Sequence, residues 1–562
     1  MANITRPREG QECTALPRLT QWEEKYDTPV PVPVGDSPQD RLAVLRMSIK
    51  SWIVPEYFTG QEGRTFLPRS TLRKIVRQDV ISSVIDPGDI DLVQKACRNP
   101  VIFVTWLSGS KYLNTKFLKT TLERLQDGEL PLHDCPRWIS DIEEDYRQDY
   151  RQDLRDVFIL HQQQFVVPVF KKQGRHSIKA HCSIPISILT TDKPLGEGAF
   201  NRVDKVYVHP DHNKIDKTTN VFALKKFESR AIQMSYLREI NLHKRLPPSN
   251  NKHIVRPLAS LDWQDKYYIF FPCGNGDLEK YMREVKPEGC SHRRYFCWFL
   301  QQIYGLSEAL EVLHKATIPT TNDQSLGPPT SLIAGFHHDI KPENIIWFPT
   351  NKTWRVSDFG CGKIAEIIIK SGGQHISHQT LNKMGNVDYG APEGWGDDRG
   401  CSRPYDIWSM GCLFLELLVW LLGGYGTLKS FRSARNGYVA GLGSTIDERF
   451  YELPPGDGGI DLRQAVKERI KEMKADPFFQ GELRVLLDVV VEMMKIDAKD
   501  RPTAEKVREK LKCLENISET ELEFTGSFPV RVSTEKSRES LTAKGEACSG
   551  ITVSIRQADG SD

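Results

Sequence analysis

The chain has 562 residues, and its 76 Lys and Arg residues nearly balance its 74 Asp and Glu residues, which leaves a formal net charge of only +2. A charge this small gives no reason to expect nucleic acid or an anionic membrane as a partner. The length predicts roughly two to four domains. The 12 cysteines are scattered along the chain, which favours a reducing compartment over a disulfide scaffold.

The sequence predicts neither a signal peptide nor a membrane span. No apolar run follows the charged residues Arg6, Arg8 and Glu9 near the N-terminus. The most apolar segment, 412–422, contains Glu416 and is far shorter than the ~20 residues that a membrane helix needs. We therefore expect an intracellular protein, either cytoplasmic or nuclear.

The first third of the chain divides into three segments by composition. Residues 1–40 are polar and rich in proline, which predicts an extended arm. Apolar residues recur at helical spacing in 41–135, so we predict a small, mostly helical domain that could bind a protein partner. Residues 136–187 are interpreted as a charged linker followed by strands that lead into the next domain.

Residues 195–203 read Leu-Gly-Glu-Gly-Ala-Phe-Asn-Arg-Val, a glycine-containing turn between two predicted strands. Glycines at Gly196 and Gly198 allow backbone amides to approach phosphate groups without a clash from Cβ. The residues 221–225 alternate in the pattern of a strand, and this predicted strand ends in Lys225. On its own, a motif of this kind is weak, because many such matches are ordinary turns.

A stronger pattern is found at 337–344, which reads His-His-Asp-Ile-Lys-Pro-Glu-Asn and is followed by an Asp-Phe-Gly motif that begins at Asp358. Asn344 and Asp358 carry oxygens that suit a metal ion, Asp339 is a carboxylate base, and Lys341 is a cation. These are the groups that phosphoryl transfer from Mg-ATP needs in one cleft.

Together these stretches resemble the eukaryotic protein kinase family of the serine/threonine type. The resemblance extends through Ala391-Pro392-Glu393, through a stretch that begins at Asp406, and through Arg501. It implies an α+β, bilobal protein-kinase-like fold over 188–515, with an antiparallel N-lobe sheet, a helix C and a mostly helical C-lobe. The small helical domain would precede this fold, and the composition of 516–562 predicts a disordered tail.

The resemblance also implies roles for individual residues. Asp339 would accept or orient the proton of the substrate hydroxyl, Lys341 would offset charge on the γ-phosphoryl group, and Asn344 and Asp358 would hold Mg²⁺. The position of Lys341 is the serine/threonine-type arrangement. The residues expected to bind ATP are Leu195, Gly196, Gly198, Val203, Ala223, Lys225, its helix partner Glu239, Phe270 behind the adenine and Cys273 in the hinge.

Three positions depart from the family pattern, namely Asn201, His338 and Asn386. None of them removes the predicted base or a predicted metal ligand, so the sequence favours an active kinase with a protein substrate. The alternatives are a pseudokinase or scaffold whose N-terminal domain mediates binding, and a small-molecule kinase of related fold.

A segment rich in Pro, Gly, Ser and Thr, about 317–333, is predicted to be a surface loop.

Overall fold

The computed structural model describes Trp22 and residues 30–517, with gaps at 59–63, 87, 109–114, 133–160, 179–181, 190–192, 198–200, 228–229, 247–250, 288–292, 320–330, 360–363, 371–372, 377–387, 395–402, 439–445 and 453–458. The predictions made for Gly198, for Asn386, for most of the arm and the charged linker, and for nearly all of the tail lie outside the described residues.

The structure combines helices and strands along the chain. The α-helices are α1 Pro38–Trp52, α2 Arg69–Ile75, α3 Gln78–Val84, α4 Ile90–Arg98, α5 Pro100–Ser108, α6 Thr115–Arg124, α7 Arg230–Arg245, α8 Leu278–Glu284, α9 Arg293–Lys315, α10 Arg403–Ala434, α11 Gln464–Ala475, α12 Gly481–Met493 and α13 Ala504–Lys510.

The strands alternate with these helices. They are β1 Val54–Pro55, β2 Thr65–Phe66, β3 Phe170–Lys171, β4 Arg175–Ile178, β5 Ile186–Ile188, β6 Gly196–Glu197, β7 Asn201–Val208, β8 Asn213–Lys214, β9 Val221–Phe227, β10 Ala259–Trp263, β11 Lys266–Pro272, β12 Thr317–Pro319, β13 Ser331–Gly335, β14 Ile345–Phe348, β15 Thr353–Val356, β16 Ile364–Lys370, β17 Gly373–Ile376, β18 Gly437–Tyr438, β19 Ile446–Asp447, β20 Tyr451–Glu452 and β21 Asp461–Leu462.

Helices α1–α6 form the N-terminal helical region and share one apolar core. Helix α1 begins with a capping box, in which the Ser37 side chain accepts from the Asp40 amide and the Asp40 carboxylate accepts from the Ser37 amide. One face of α1 then buries Leu45 and Ile49. Helix α5 is buried over nearly its whole length, so its continuous apolar run encodes a core helix rather than a strand.

The N-terminal helical region packs against a sheet that follows it in the chain. Trp22 is only 1% exposed and contacts the rings of Phe66, Tyr207 and His209, so this part of the predicted arm belongs to a core. The Ser70 amide donates to Asp211 at 2.6 Å. These contacts cover the sheet on one side.

The sheet has the strand order β4-β10-β11-β9-β7-β5, and β6 pairs with β7. Its pairings are antiparallel except for β4 with β10. Side chains alternate between the two faces, so Phe270 lies in the core on the outer face, beneath the N-terminal region, while Ile269 and Phe271 face inward. The inner face carries the side chains that line the cavity described below.

A second sheet, with the order β12-β13-β16-β17, corrects the prediction for 317–333. Both described ends of this segment are strands, since 317–319 pairs with 332–334 in an antiparallel hairpin. Strand β13 then pairs with β16 over five residues, from Ser331 with Ile368 to Gly335 with Ile364. The composition suggested a loop because the partners of β13 in β16 lie 29 to 37 residues further along the chain.

The C-terminal helices enclose the largest described apolar core around α10. By length and composition alone, helix α10 is long and apolar enough to cross a membrane. However, 83% of its most apolar 18-residue stretch is buried inside the protein. Its axis is interrupted at Gly424, where φ is +71°. Such a value suits glycine, and it allows the last turns of the helix to fold back on its middle.

Candidate active site

An open cavity lies between the inner face of the first sheet and the loops that lead into the C-terminal helices. The sheet contributes Leu195, Gly196, Val203, Ala223 and Lys225, and α7 contributes Glu239. The rest of the lining is Val255, Phe271, Pro272, Gly274, Gly276, Asp277, Glu343, Asn344, Ile346, Phe348, Ser357 and Asp358.

Lys225 is the cation at the centre of this cavity. Its Nζ lies 2.8 Å from Glu239 Oε2 and 2.5 Å from Asp358 Oδ1, and the lysine is almost fully buried. Burial would lower the pKa of Lys225, but the adjacent Asp358 and Glu239 carboxylates raise it above its usual value, so the ammonium group stays charged. Burial raises the pKa of Glu239, which Lys225 opposes. The predicted lysine–glutamate pair is therefore present in the geometry.

The loop 337–344 is held from below by Asp406 of α10. The backbone amides of His337 and His338 each donate to the Asp406 carboxylate at 2.7 Å, and His314 Nε2 lies 3.0 Å from it. Burial would raise the pKa of Asp406, but the hydrogen bond with His314 and nearby histidine charges lower it below its ordinary value. His338, which departs from the family pattern, stacks on Tyr405 with ring centroids 4.6 Å apart.

Three polar side chains of this loop come together. Lys341 Nζ lies 2.9 Å from Asp339 Oδ2. Asn344 Nδ2 donates to the same carboxylate oxygen at 2.9 Å and to the Asp339 carbonyl at 2.7 Å. Burial would lower the pKa of Lys341, but Asp339 raises it above its ordinary value. The loop thus presents a carboxylate with an ammonium and an amide arranged on it.

Asp358 reaches the cavity because the chain turns sharply at this position, where its φ is +58°. The next residue, Phe359, is buried, and its ring lies 4.8 Å from that of His243 on α7 and 5.1 Å from that of His337. One aromatic side chain therefore packs against both α7 and the loop 337–344, and the adjacent carboxylate is directed at Lys225.

The back of the cavity corrects two of the sequence predictions. Phe271 lines it, whereas Phe270 lies on the opposite face of β11, in contact with Phe170 and Phe222. Cys273 is not in the lining either, although its neighbours in the hinge are. A Cβ at Gly274 would lie 2.3 Å from Ile346 Cγ2, so this hinge position fits only glycine.

The structure brings the predicted Leu195, Gly196, Val203, Ala223, Lys225, Glu239, Asn344 and Asp358 to one cavity. Asp339 and Lys341 lie next to this cavity, because Asn344, which lines it, donates to the Asp339 carboxylate, and Lys341 contacts the same carboxylate. The floor residues Ile346, Phe348 and Ser357 were missed. The signal for Ile346 and Phe348 was the apolar run directly after Asn344, and Ser357 directly precedes Asp358.

The oxygens of Asn344 and Asp358 suit Mg²⁺, which is usually held by one or two carboxylates together with substrate phosphates and water. Among the described residues no cluster of three or more His, Cys, Asp and Glu side chains offers a complete metal cage. The donor set therefore fits a metal that arrives with a phosphorylated ligand better than a resident structural metal.

Comparison with known sequences supplies independent information. A family model described as the protein kinase domain matches residues 189–511. Similar curated proteins include mitogen-activated protein kinase 5 of Arabidopsis thaliana, 25% identical over 40% of this chain and 51% of that protein, and the serine/threonine-protein kinase NLK2 of Xenopus laevis, 26% identical over 40% and 44%. The 3-phosphoinositide-dependent protein kinase B of Dictyostelium discoideum is 26% identical over 55% and 31%. The chain spans about half or less of these relatives.

Proposed function

We propose that this chain, which belongs to the protein kinase domain family, is an active protein serine/threonine kinase that uses ATP and Mg²⁺. The observation that carries the proposal is the set of contacts from Lys225 to Glu239 and Asp358, together with the contacts from Lys341 and Asn344 to Asp339. The sheet above the cavity and the helices below it support the bilobal arrangement that the family resemblance implies.

In this proposal the nucleotide lies between the glycine turn and the floor of the cavity. Lys225 binds its phosphates, and Glu239 keeps that ammonium in place. Mg²⁺, when bound, neutralises charge on the phosphate oxygens, and Asn344 and Asp358 would hold it. Asp339 orients the acceptor hydroxyl and takes up its proton, while Lys341 offsets negative charge on the group in transfer.

Three considerations support a serine or threonine hydroxyl on a protein as the acceptor. Lys341 stands two residues after Asp339, which is the arrangement of the serine/threonine-type kinases that the loop resembles. One of the relatives is itself named as a serine/threonine-protein kinase. The bidentate pair between Arg501 and Glu393, at 2.7 and 2.8 Å, supports a fixed loop on the side where a protein substrate would bind.

A pseudokinase or scaffold is the less favoured alternative. Such a protein needs neither a charged lysine in the cavity nor a carboxylate directed at it, whereas Lys225 contacts both Glu239 and Asp358 in this chain. We also propose an intracellular location, because the 12 cysteines are scattered along the sequence without close pairing, which is typical of a reducing compartment.

The decisive experiment is Asp339→Asn, assayed for transfer from Mg-ATP to a generic protein such as myelin basic protein. We expect turnover to fall by about 10²–10⁴-fold, the usual contribution of a positioned base, while ATP affinity stays nearly unchanged. Asp497→Asn is a matched control, since Asp497 is an exposed carboxylate that pairs with Lys499 away from the cavity. Comparable turnover in Asp339→Asn and the wild type would refute the proposal.

A further inference from the structure

An arginine from the end of α10 joins two carboxylates beside the loop that contains Asp339. Arg432 Nη2 lies 2.6 Å from Glu416 Oε2, and Arg432 Nη1 lies 2.9 Å from Glu279 Oε2. Arg432 Nε also donates to both oxygens of Glu416, at 3.1 and 3.2 Å. The guanidinium thus links α8 to the middle of α10.

The break at Gly424 explains how Arg432 reaches this place. Arg432 and Glu416 are sixteen residues apart, too far for a contact along one continuous helix. The left-handed turn at Gly424 reverses the chain, and Arg435 then also reaches Glu416, at 2.7 Å. Arg435 is held in turn against the ring of Phe450. The position of Arg432 is therefore built into the fold.

The network is charged and largely shielded from solvent. The side chains of Arg432, Glu279 and Glu416 are 17%, 13% and 0% exposed. Burial would raise the pKa of Glu416, but Arg435 and Arg432 hold it at about 2. Burial would lower the pKa of Arg432, but Glu416 raises it above its usual value. Both groups stay ionised at neutral pH, so the ion pair is permanent.

The network lies beside the loop that contains Asp339, the residue proposed to meet the acceptor hydroxyl. Helix α8, which carries Glu279, contacts the turn Pro342–Asn344, and Glu343 in that turn is exposed and close enough to interact with the charges of Glu279 and Arg432. Tyr389, which leads into the Ala-Pro-Glu motif, donates to Glu416 at 2.6 Å. Carboxylates from three elements therefore converge next to the loop that contains Asp339.

We infer that Arg432 is a specificity-determining residue, which occupies the anionic site formed by Glu279, Glu343 and Glu416 and thereby prevents the selection of substrates with an arginine near the phosphorylated hydroxyl. This inference rests on the proposed kinase function. A substrate arginine has to displace a guanidinium that is tethered in place and already makes several charge-assisted hydrogen bonds. The acceptor sequences that fit are therefore neutral or acidic around the hydroxyl.

The test compares wild type with Arg432→Ala on peptides that share one acceptor serine and carry either arginine or alanine at each flanking position. We expect the wild type to discriminate less than about threefold between them. Arg432→Ala should prefer an arginine peptide by at least about tenfold, the order of one charge-assisted hydrogen bond. Glu416 keeps Arg435 as a partner in this variant, which supports its folding. Arg508→Ala, which removes a partly exposed partner of Glu311 elsewhere, should behave as the wild type.

In the peptide assays of the wild type and Arg432→Ala, either of two results would overturn the inference. One is a wild-type preference for arginine above about tenfold. The other is an Arg432→Ala protein with unchanged melting temperature and unchanged preference. Should Arg432→Ala fail to fold, Glu279→Gln replaces it as the test. A Glu279 carboxylate already bound by Arg432 cannot recruit a substrate arginine, so Glu279→Gln should leave the peptide preference unchanged. A changed preference in this variant would contradict the inference.

A peptide-binding measurement distinguishes a failure of this inference from a failure of the proposed kinase function. If the wild type phosphorylates no peptide, the kinase proposal fails. Fluorescence anisotropy of a labelled arginine peptide still tests Arg432, because Arg432→Ala should bind it at least about tenfold more tightly than the wild type does. Equal affinities would overturn the inference even in an inactive protein.

Discussion

At the scale of single residues, the alternation of side chains along β11 decides which aromatic ring meets the nucleotide. Phe271 pairs with Ala223 and Ile269 pairs with Lys225, and residues opposite each other in an antiparallel pair share a face. Phe271 therefore closes the back of the cavity, beside His243 at 5.9 Å between ring centroids. Phe270 faces the other way and belongs to the core under the N-terminal helical region.

We predict that Phe271→Ala enlarges the cavity and admits an ATP analogue with a bulky substituent on the adenine. The KM for that analogue should fall at least tenfold relative to the wild type, because one ring no longer fills the space. Phe270→Ala is the matched control. It should leave analogue use unchanged but lower the free energy of unfolding by about 3–5 kcal/mol, since it empties a packed core. The opposite assignment of the two effects would contradict the register of β11 with β9.

The error over Phe270 shows what the sequence could and could not supply. Motif spacing grouped Lys225, Glu239, Asn344 and Asp358, and these four residues line one cavity. In a run of consecutive apolar residues such as that in β11, however, no polar position marks which face is buried in which core. A shift of one residue then moves a side chain to the other face.

At the scale of elements, the pairing of β13 with β16 joins a segment that precedes His337 to a segment that follows Asp358. Strand β13 ends two residues before His337, and β16 begins six residues after Asp358. The antiparallel register of the two strands therefore joins the backbone on both sides of the cavity. Local composition does not reveal such a contact, because it depends on residues that are distant in sequence.

We predict that Ile333→Pro lowers kinase activity at least tenfold. Ile333 is paired on both sides, with Ile318 and with Glu366, so a proline there removes a ladder hydrogen bond in the middle of the sheet. Ser331→Pro is the control, because Ser331 is the first residue of β13 and proline is tolerated at that position of a strand. Equal activity of the two variants in a radiometric assay would show that the sheet does not support the reaction.

At the scale of the whole molecule, the N-terminal helical region and the first sheet share buried contacts. Phe58 lies against Trp263 and Tyr268, and Ser183 donates to the Thr65 carbonyl at 2.9 Å. The change in composition between 41–135 and 188–515 predicts separate domains, and composition carries no information about the surfaces through which two domains meet. The part of the sheet that carries Trp263 and Tyr268 is therefore an interface with the N-terminal region.

Four buried histidines make the whole molecule sensitive to acid. Burial lowers the pKa of His209 and His243 to about 3 and that of His212 and His253 to about 4. An unfolded histidine titrates near 6.5, so between about pH 6.5 and 4 the unfolded chain binds protons that the folded chain does not. Stability is therefore complete above about pH 6.5 and is lost as the pH falls, by about 1 kcal/mol per histidine at pH 5.5.

We predict that the melting temperature falls by about 10 °C or more between pH 7.5 and 5.5, because these contributions add up to several kcal/mol. His243→Leu isolates one of them, since neither ring nitrogen of His243 has a hydrogen-bond partner among the described residues. This variant should reduce the loss of folding free energy between pH 7.5 and 5.5 by about 1 kcal/mol without lowering the stability at pH 7.5. His253→Leu should reduce the same loss but destabilise at both pH values, because His253 Nδ1 lies 2.7 Å from the Trp354 carbonyl. A pH dependence in His243→Leu identical to that of the wild type, measured by differential scanning fluorimetry, would show that His243 is not buried as a neutral ring.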